Sequence, residues 1–208
     1  MSIELWLAFA IACSLLLAIP GPTVILVVSY VIGRGKDSAW ATVPGVVLGD
    51  FTAMSLSLLG AGALLQASAG WFSALKIVGA FYLIWLGIKL WREKPQPTDI
   101  AKAKISSSNR SMFLNSYIVT ALNPKGIVFF IAFLPQFLDP ASDTFPQFVV
   151  MEVTFLTLAA VNIIVWVFLV DRLRRGFQKP SNLKIINRIG GSFLIGAGLF
   201  AAISQPGK

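Results

Sequence analysis

Two of the long apolar runs in this chain are broken by proline, and the breaks fall in different halves. Pro20-Gly21-Pro22 interrupts the first run and Asn123-Pro124-Lys125 interrupts the fourth. Proline removes a backbone donor and clashes with the preceding turn. In a bilayer the freed carbonyls have no water to turn to, so a broken helix persists only where protein or a polar cavity surrounds it. Paired breaks in two halves point to a binding site near mid-membrane depth.

The membrane setting follows from composition. Hydrophobic residues make up 56% of the chain and charged residues 12%, and mean hydropathy is +0.79. The apolar residues come in runs about 20 long, enough to cross a bilayer as helices. An all-α membrane protein with six transmembrane helices is expected, over Leu5–Tyr30, Trp40–Leu65, Phe72–Trp91, Met112–Leu138, Phe148–Val170 and Ile189–Ser204. Six spans leave no room for a soluble catalytic head, which argues against an enzyme.

Between spans 3 and 4 lies a polar, charged loop with Pro95, Pro97 and Ser106-Ser107-Ser108, the composition of a linker. It divides one transporter domain into a three-helix unit over 1–92, a linker over 93–111 and a second three-helix unit over 112–208. With an odd number of spans per half, the second half enters the membrane from the opposite side, which is the geometry of a 3+3 inverted repeat. Lys76-Ile77-Val78-Gly79-Ala80-Phe81 and Arg188-Ile189-Gly190-Gly191-Ser192-Phe193 match in basic residue, Ile, Gly and Phe.

The net charge of +8 invites a nucleic-acid reading, and its location argues against one. Arg34 and Lys36 follow span 1. Arg92, Lys94, Lys102, Lys104 and Arg110 follow span 3. Arg172, Arg174, Arg175, Lys179, Lys184 and Arg188 follow span 5. The loop after span 4 carries only Asp139 and Asp143. The positive-inside rule then places the odd loops in the cytoplasm and both termini outside. The N-terminal run has no basic flank and continues past Ala10-Ile11-Ala12-Cys13, so it reads as an uncleaved span. Cys13 is the only cysteine and histidine is absent. No cofactor or metal site is expected, and the usual proton shuttle at neutral pH is missing.

Each polar position inside the spans has a functional and a structural reading. Pro20, Gly21 and Pro22 should free carbonyls that can coordinate a cation or an ammonium group, or they simply kink the helix for packing. Asn123, Pro124 and Lys125 lie about halfway along span 4. A lysine at that depth costs at least about 2.5–3.5 kcal/mol on insertion scales and should face the protein interior. It can bind a substrate carboxylate, answer Asp50, or snorkel. Gly45 and Gly49 share one face of span 2 and admit a close helix neighbour. Asp50 follows them as a counter-ion, proton carrier or ammonium ligand, or as the structural partner of Lys125. Glu152 and Asn162 in span 5 are weaker candidates, interfacial and packing residues being their alternatives. Gly190-Gly191 and Gly196-x-Gly198 read as close-packing surface. Trp6, Trp71, Trp91 and Tyr117 read as interface anchors.

At these residues the chain resembles the LysE/RhtB superfamily of amino-acid exporters. The match comprises Pro20-Gly21-Pro22, Gly33-x-Gly35, Gly45-x3-Gly49-Asp50, Gly79-Ala80-Phe81-Tyr82-Leu83-x3-Gly87 and Asn123-Pro124-Lys125 with the aromatic run Phe129–Phe137. The resemblance covers essentially the whole chain. It implies export of amino acids or close derivatives across a bacterial cytoplasmic membrane, driven by protons or membrane potential, and a homo-oligomer such as a dimer. Thr23-Val24-Ile25-Leu26 is similar to the threonine/homoserine-type branch. A passive channel and a metal-ion exporter of the same superfamily are the alternatives. Few, central charges suit one site better than a lined pore.

Overall fold

The computed structural model describes residues 1–67, 69–92, 108–139 and 142–172, with scattered helical residues between 184 and 199. The main elements are α1 (Ile3–Ala18), α2 (Pro22–Arg34), α3 (Ala39–Ala67), α4 (Ala69–Arg92), α5 (Asn109–Ala121), α6 (Pro124–Ala132) and α7 (Thr144–Arg172). Short 3-10 turns occupy Lys36–Ser38 and Leu134–Phe137. No strand occurs among the described residues.

Both proline motifs end one helix and begin another. Pro22 and Pro124 are the first residues of α2 and α6, where a missing N–H costs nothing. The α1–α2 pair is bent by 53°. Together α1 and α2 are long and apolar enough to make one broken span. Lys36–Gly60 and Thr144–Arg172 are each long and apolar enough to cross as single helices. Within α4 the apolar core is shorter, Ile77–Lys89. The expected fourth span is divided between α5 and α6. Most of the linker and of the expected sixth span lies outside the described residues.

The two broken spans run in opposite directions. At one end Arg34 of α2 donates to Asn109 Oδ1 of α5 at 2.9 Å, and Asn115 Nδ2 of α5 donates to Tyr30 Oη of α2 at 2.9 Å. At the other end Phe9, Cys13 and Leu16 of α1 share a core with Phe129, Phe130 and Phe133. Span 1 therefore starts where span 4 finishes. Between Gly33 and Lys36 the chain turns through Gly35, whose φ of 76° favours glycine.

Gly45 and Gly49 let α3 lie directly on α5. A Cβ on Gly45 would stand 2.5 Å from Phe113 O, and one on Gly49 2.7 Å from both Tyr117 O and Thr120 Cβ. Any side chain there forces two backbones apart. Further glycine contacts join α4 to the C-terminal stretch. A Cβ on Gly87 or Gly191 would meet the other residue's carbonyl at 2.6 and 2.5 Å, and one on Gly198 would meet Ala80 O at 2.6 Å. Gly196, expected on the same packing surface, has nothing within 4 Å of its Cβ position.

The core has two large clusters with a polar layer between them, and a small third one of Tyr30, Ala41 and Met112. One cluster is rich in rings. Phe9, Phe129, Phe130, Phe133, Phe137 and Phe155 form a continuous chain of contacts with centroids 4.9–6.1 Å apart. The other is aliphatic, with Val24, Val27, Val28 and Val31 of α2 against Val46 of α3 and Ile163, Val167 and Val170 of α7. The order along the continuous helices locates the layer between them. On α3, Asp50 falls between Val46 of the aliphatic cluster and Ala53 and Met54 of the aromatic one. On α7, Asn162 falls between Ala159 of the aromatic cluster and Ile163 of the aliphatic one.

Candidate substrate site

In the polar layer, a cavity of about 40 Å³ is lined from α1, α2, α3, α6 and α7. Gly21, Asp50, Asn123, Lys125 and Asn162 all reach it. Five residues singled out from the sequence thus meet in space. Pro20 is buried but does not line the cavity, and Pro22 and Pro124 turn outward. These prolines shape the backbone and are not ligands in this arrangement. Glu152 lies well over two turns before Asn162 on α7, where it accepts a 2.6 Å hydrogen bond from Ser55 Oγ. Trp6, read as an interface anchor, donates from Nε1 to Thr154 Oγ1 at 3.0 Å.

The carbonyls freed by the first break are answered by side chains from elsewhere in the chain. Lys125 Nζ donates to Ile19 O at 2.9 Å and to Leu16 O at 3.3 Å. Asn162 Nδ2 donates to Leu17 O at 3.0 Å. The end of α1 carries the partial negative charge of a helix C-terminus, so a buried ammonium is favoured there. The expectation that these carbonyls would hold a cation finds an internal occupant, the chain's own lysine. A Cβ on Gly21 would stand 3.3 Å from Lys125 Cε and Nζ, so a side chain there would press on the ammonium.

Lys125 and Asp50 act on each other electrostatically but are not in contact. Among the described residues no ion pair within 4.0 Å joins them. The buried Asp50 carboxylate has no hydrogen-bond partner among the described residues. An ammonium has three donors, and Lys125 spends two on carbonyls, which leaves one for the cavity. One open cationic donor and one open carboxylate therefore border the same small space.

Asn123 ties the two breaks together. Its Oδ1 accepts from Lys125 N at 3.1 Å and so caps α6, while its Nδ2 donates to Thr23 Oγ1 at 3.3 Å. Thr23 Oγ1 lies 3.1 Å from Thr120 Oγ1 on α5. At the start of α2, Gly21 supplies no side-chain cap. The amides of Thr23 and Val24, and that of Gly126 in α6, have no hydrogen-bond partner among the described residues. Such helix-start amides favour an anion. Thr120 escapes notice in the sequence because threonine is ordinary in an apolar helix, and Thr23 stands out there only in the branch-like motif, not as a site residue. Their positions, one residue after Pro22 and three before Asn123, are the available signal.

A larger groove of about 520 Å³ lies at the starts of α1 and α7, lined by Met1, Trp6, Pro146 and Val150 among others, with no charged side chain. It has none of the convergent polar groups of the central cavity.

The chain's relatives fit this architecture. Residues 14–205 match the family model "LysE type translocator". A homoserine/homoserine lactone efflux protein of Salmonella typhimurium is 32% identical over 97% of this chain and 98% of its own length. An uncharacterized membrane protein of Vibrio cholerae is 30% identical over 99% of this chain and 100% of its own. A leucine efflux protein of an Enterobacter species is 29% identical over 70% of each chain. No solved structure matches the chain. A near full-length family match, with relatives covered end to end, identifies this membrane protein as a translocator and not an enzyme: the chain belongs to the LysE type translocator family.

Proposed function

We propose that this protein exports neutral amino acids or close derivatives by binding them as zwitterions in the polar layer, in exchange for protons. The observation that carries this reading is the pair of open opposite charges, Lys125 and Asp50, on one cavity whose other lining side chains are uncharged. The substrate carboxylate takes the third Lys125 donor and the helix-start amides of Thr23, Val24 and Gly126. The substrate ammonium takes Asp50. A basic or acidic side chain would bring a third charge with nothing to answer it, and burying an unpaired charge is costly. The relatives named for homoserine, its lactone and leucine support uncharged side chains.

A cavity of about 40 Å³ has room for about three water molecules, less than an amino acid needs. This conformation is therefore a closed one. The aromatic cluster seals one end and the aliphatic cluster the other, and alternating access consists of opening them in turn. Arg34, Arg110 and Arg172 lie at the aliphatic end, the end expected in the cytoplasm. Substrate then enters past the valines and leaves past the rings, with both termini outside. Asp50 carries the returning proton, there being no histidine to do so.

Proteoliposomes preloaded with labelled threonine, homoserine or leucine test the proposal. Saturable efflux accelerated by an inward proton gradient is expected. Asp50→Asn should abolish the acceleration, and Lys125→Met should abolish efflux. Normal coupled transport by both variants would sink the residue assignment, and unsaturable flux without a driving gradient would favour a channel.

A further inference from the structure

We infer that Ala159 is the residue that sets which side chains the site accepts; the inference rests on the zwitterion reading above. Three residues of α7 that line the cavity, Phe155, Ala159 and Ile163, are spaced four apart and so lie on one helix face. All three are buried, at 2%, 0% and 3% exposure. Every other apolar side chain in the lining is valine, leucine, isoleucine or phenylalanine. Ala159 is the one place where the apolar wall recedes. It forms a notch with a ring one turn before it and a branched chain one turn after.

The rest of the cavity cannot play this part. Gly21 and Gly126 also lack bulk, but they belong to the break where Lys125 and the open amides receive the carboxylate. Asn162 is occupied with Leu17 O at 3.0 Å. Once the zwitterionic head is held between Lys125 and Asp50, the α7 notch is the apolar recess left for the side chain. Its floor is a single methyl group. In a hydrophobic pocket one methylene discriminates by roughly 10- to 200-fold. The class favoured is therefore amino acids with small to medium aliphatic or hydroxylated side chains, with the upper limit set at position 159.

The test is counterflow in proteoliposomes with labelled alanine and leucine, using wild type and the Ala159→Gly, Ala159→Val and Ala159→Leu variants. The readout is the leucine-to-alanine rate ratio, which loss of folded protein does not change. The ratio should fall by tenfold or more in Ala159→Leu, fall less in Ala159→Val and rise in Ala159→Gly. If Ala159→Leu does not fold, the order of Gly above wild type above Val still decides. A ratio unchanged across the variants, or both rates falling in step, overturns the inference and leaves the zwitterion reading standing. A wild type that moves neither amino acid overturns the reading, and the inference with it.

Discussion

The two breaks begin with the same device and end differently. In each, a helix stops and a proline starts the next one. At the second break the backbone bonds are local, while the Gly126 amide stays open among the described residues and Asn123 Nδ2 reaches Thr23. Asn123 N donates to Thr120 O at 3.0 Å, Leu122 N donates to Ile118 O at 3.0 Å, and the Asn123 side chain caps α6. At the first break, Ile19 N returns to Leu16 O at 3.3 Å, but the freed carbonyls depend on Lys125 and Asn162 from distant helices. A break closed from outside senses whatever competes for the groups that close it. Under the proposed function the substrate carboxylate takes the third donor of Lys125, whose other two close the first break, so site and break share one side chain.

Lesions that answer the first break should therefore cost more than lesions confined to the second. Lys125→Met is expected to have the largest effect. It orphans Ile19 O, which costs about 1–3 kcal/mol, and leaves Leu16 O with only the 3.3 Å bond from Ile19 N. Melting in detergent should drop by several degrees, with transport lost. Next, Asn162→Leu orphans Leu17 O alone and should cost about 1–3 kcal/mol, read by the same melting assay, with efflux reduced but measurable. Asn123→Ala removes the α6 cap, worth about 1 kcal/mol, together with the 3.3 Å bond to Thr23 Oγ1. If it destabilised as much as Lys125→Met, the asymmetry between the breaks would be wrong. Smallest, Thr120→Val removes one hydroxyl contact with Thr23 and should cost about 0.5–1.5 kcal/mol, with efflux kinetics close to wild type.

The breaks themselves were legible in the sequence because proline and glycine act on the backbone they belong to. Gly45 and Gly49 were legible for a related reason, since their spacing alone puts them on one helix face. The partner of Lys125 was not. Sequence offers side chains as partners, and Asp50 was the only opposite charge at similar depth. The real acceptors, Leu16 O and Ile19 O, are backbone carbonyls that every residue carries, and only the fold selects which are within reach. Ala159 and Thr120 were invisible for the same reason: their residue types are unremarkable in apolar helices, and their meaning comes from the neighbours they meet. The count of six spans and the pairing of two repeats depend on stretches outside the described residues.

The central claim is that Lys125 receives the substrate carboxylate at the first break, and one binding comparison tests it most directly. Purified protein is titrated with leucine and with leucinamide, which keeps the ammonium and side chain but lacks the carboxylate. The wild type should prefer leucine by tenfold or more. In Lys125→Met that preference should vanish, while Asp50→Asn weakens both ligands. A Lys125→Met protein that still binds leucine with the full wild-type preference over leucinamide would contradict the account.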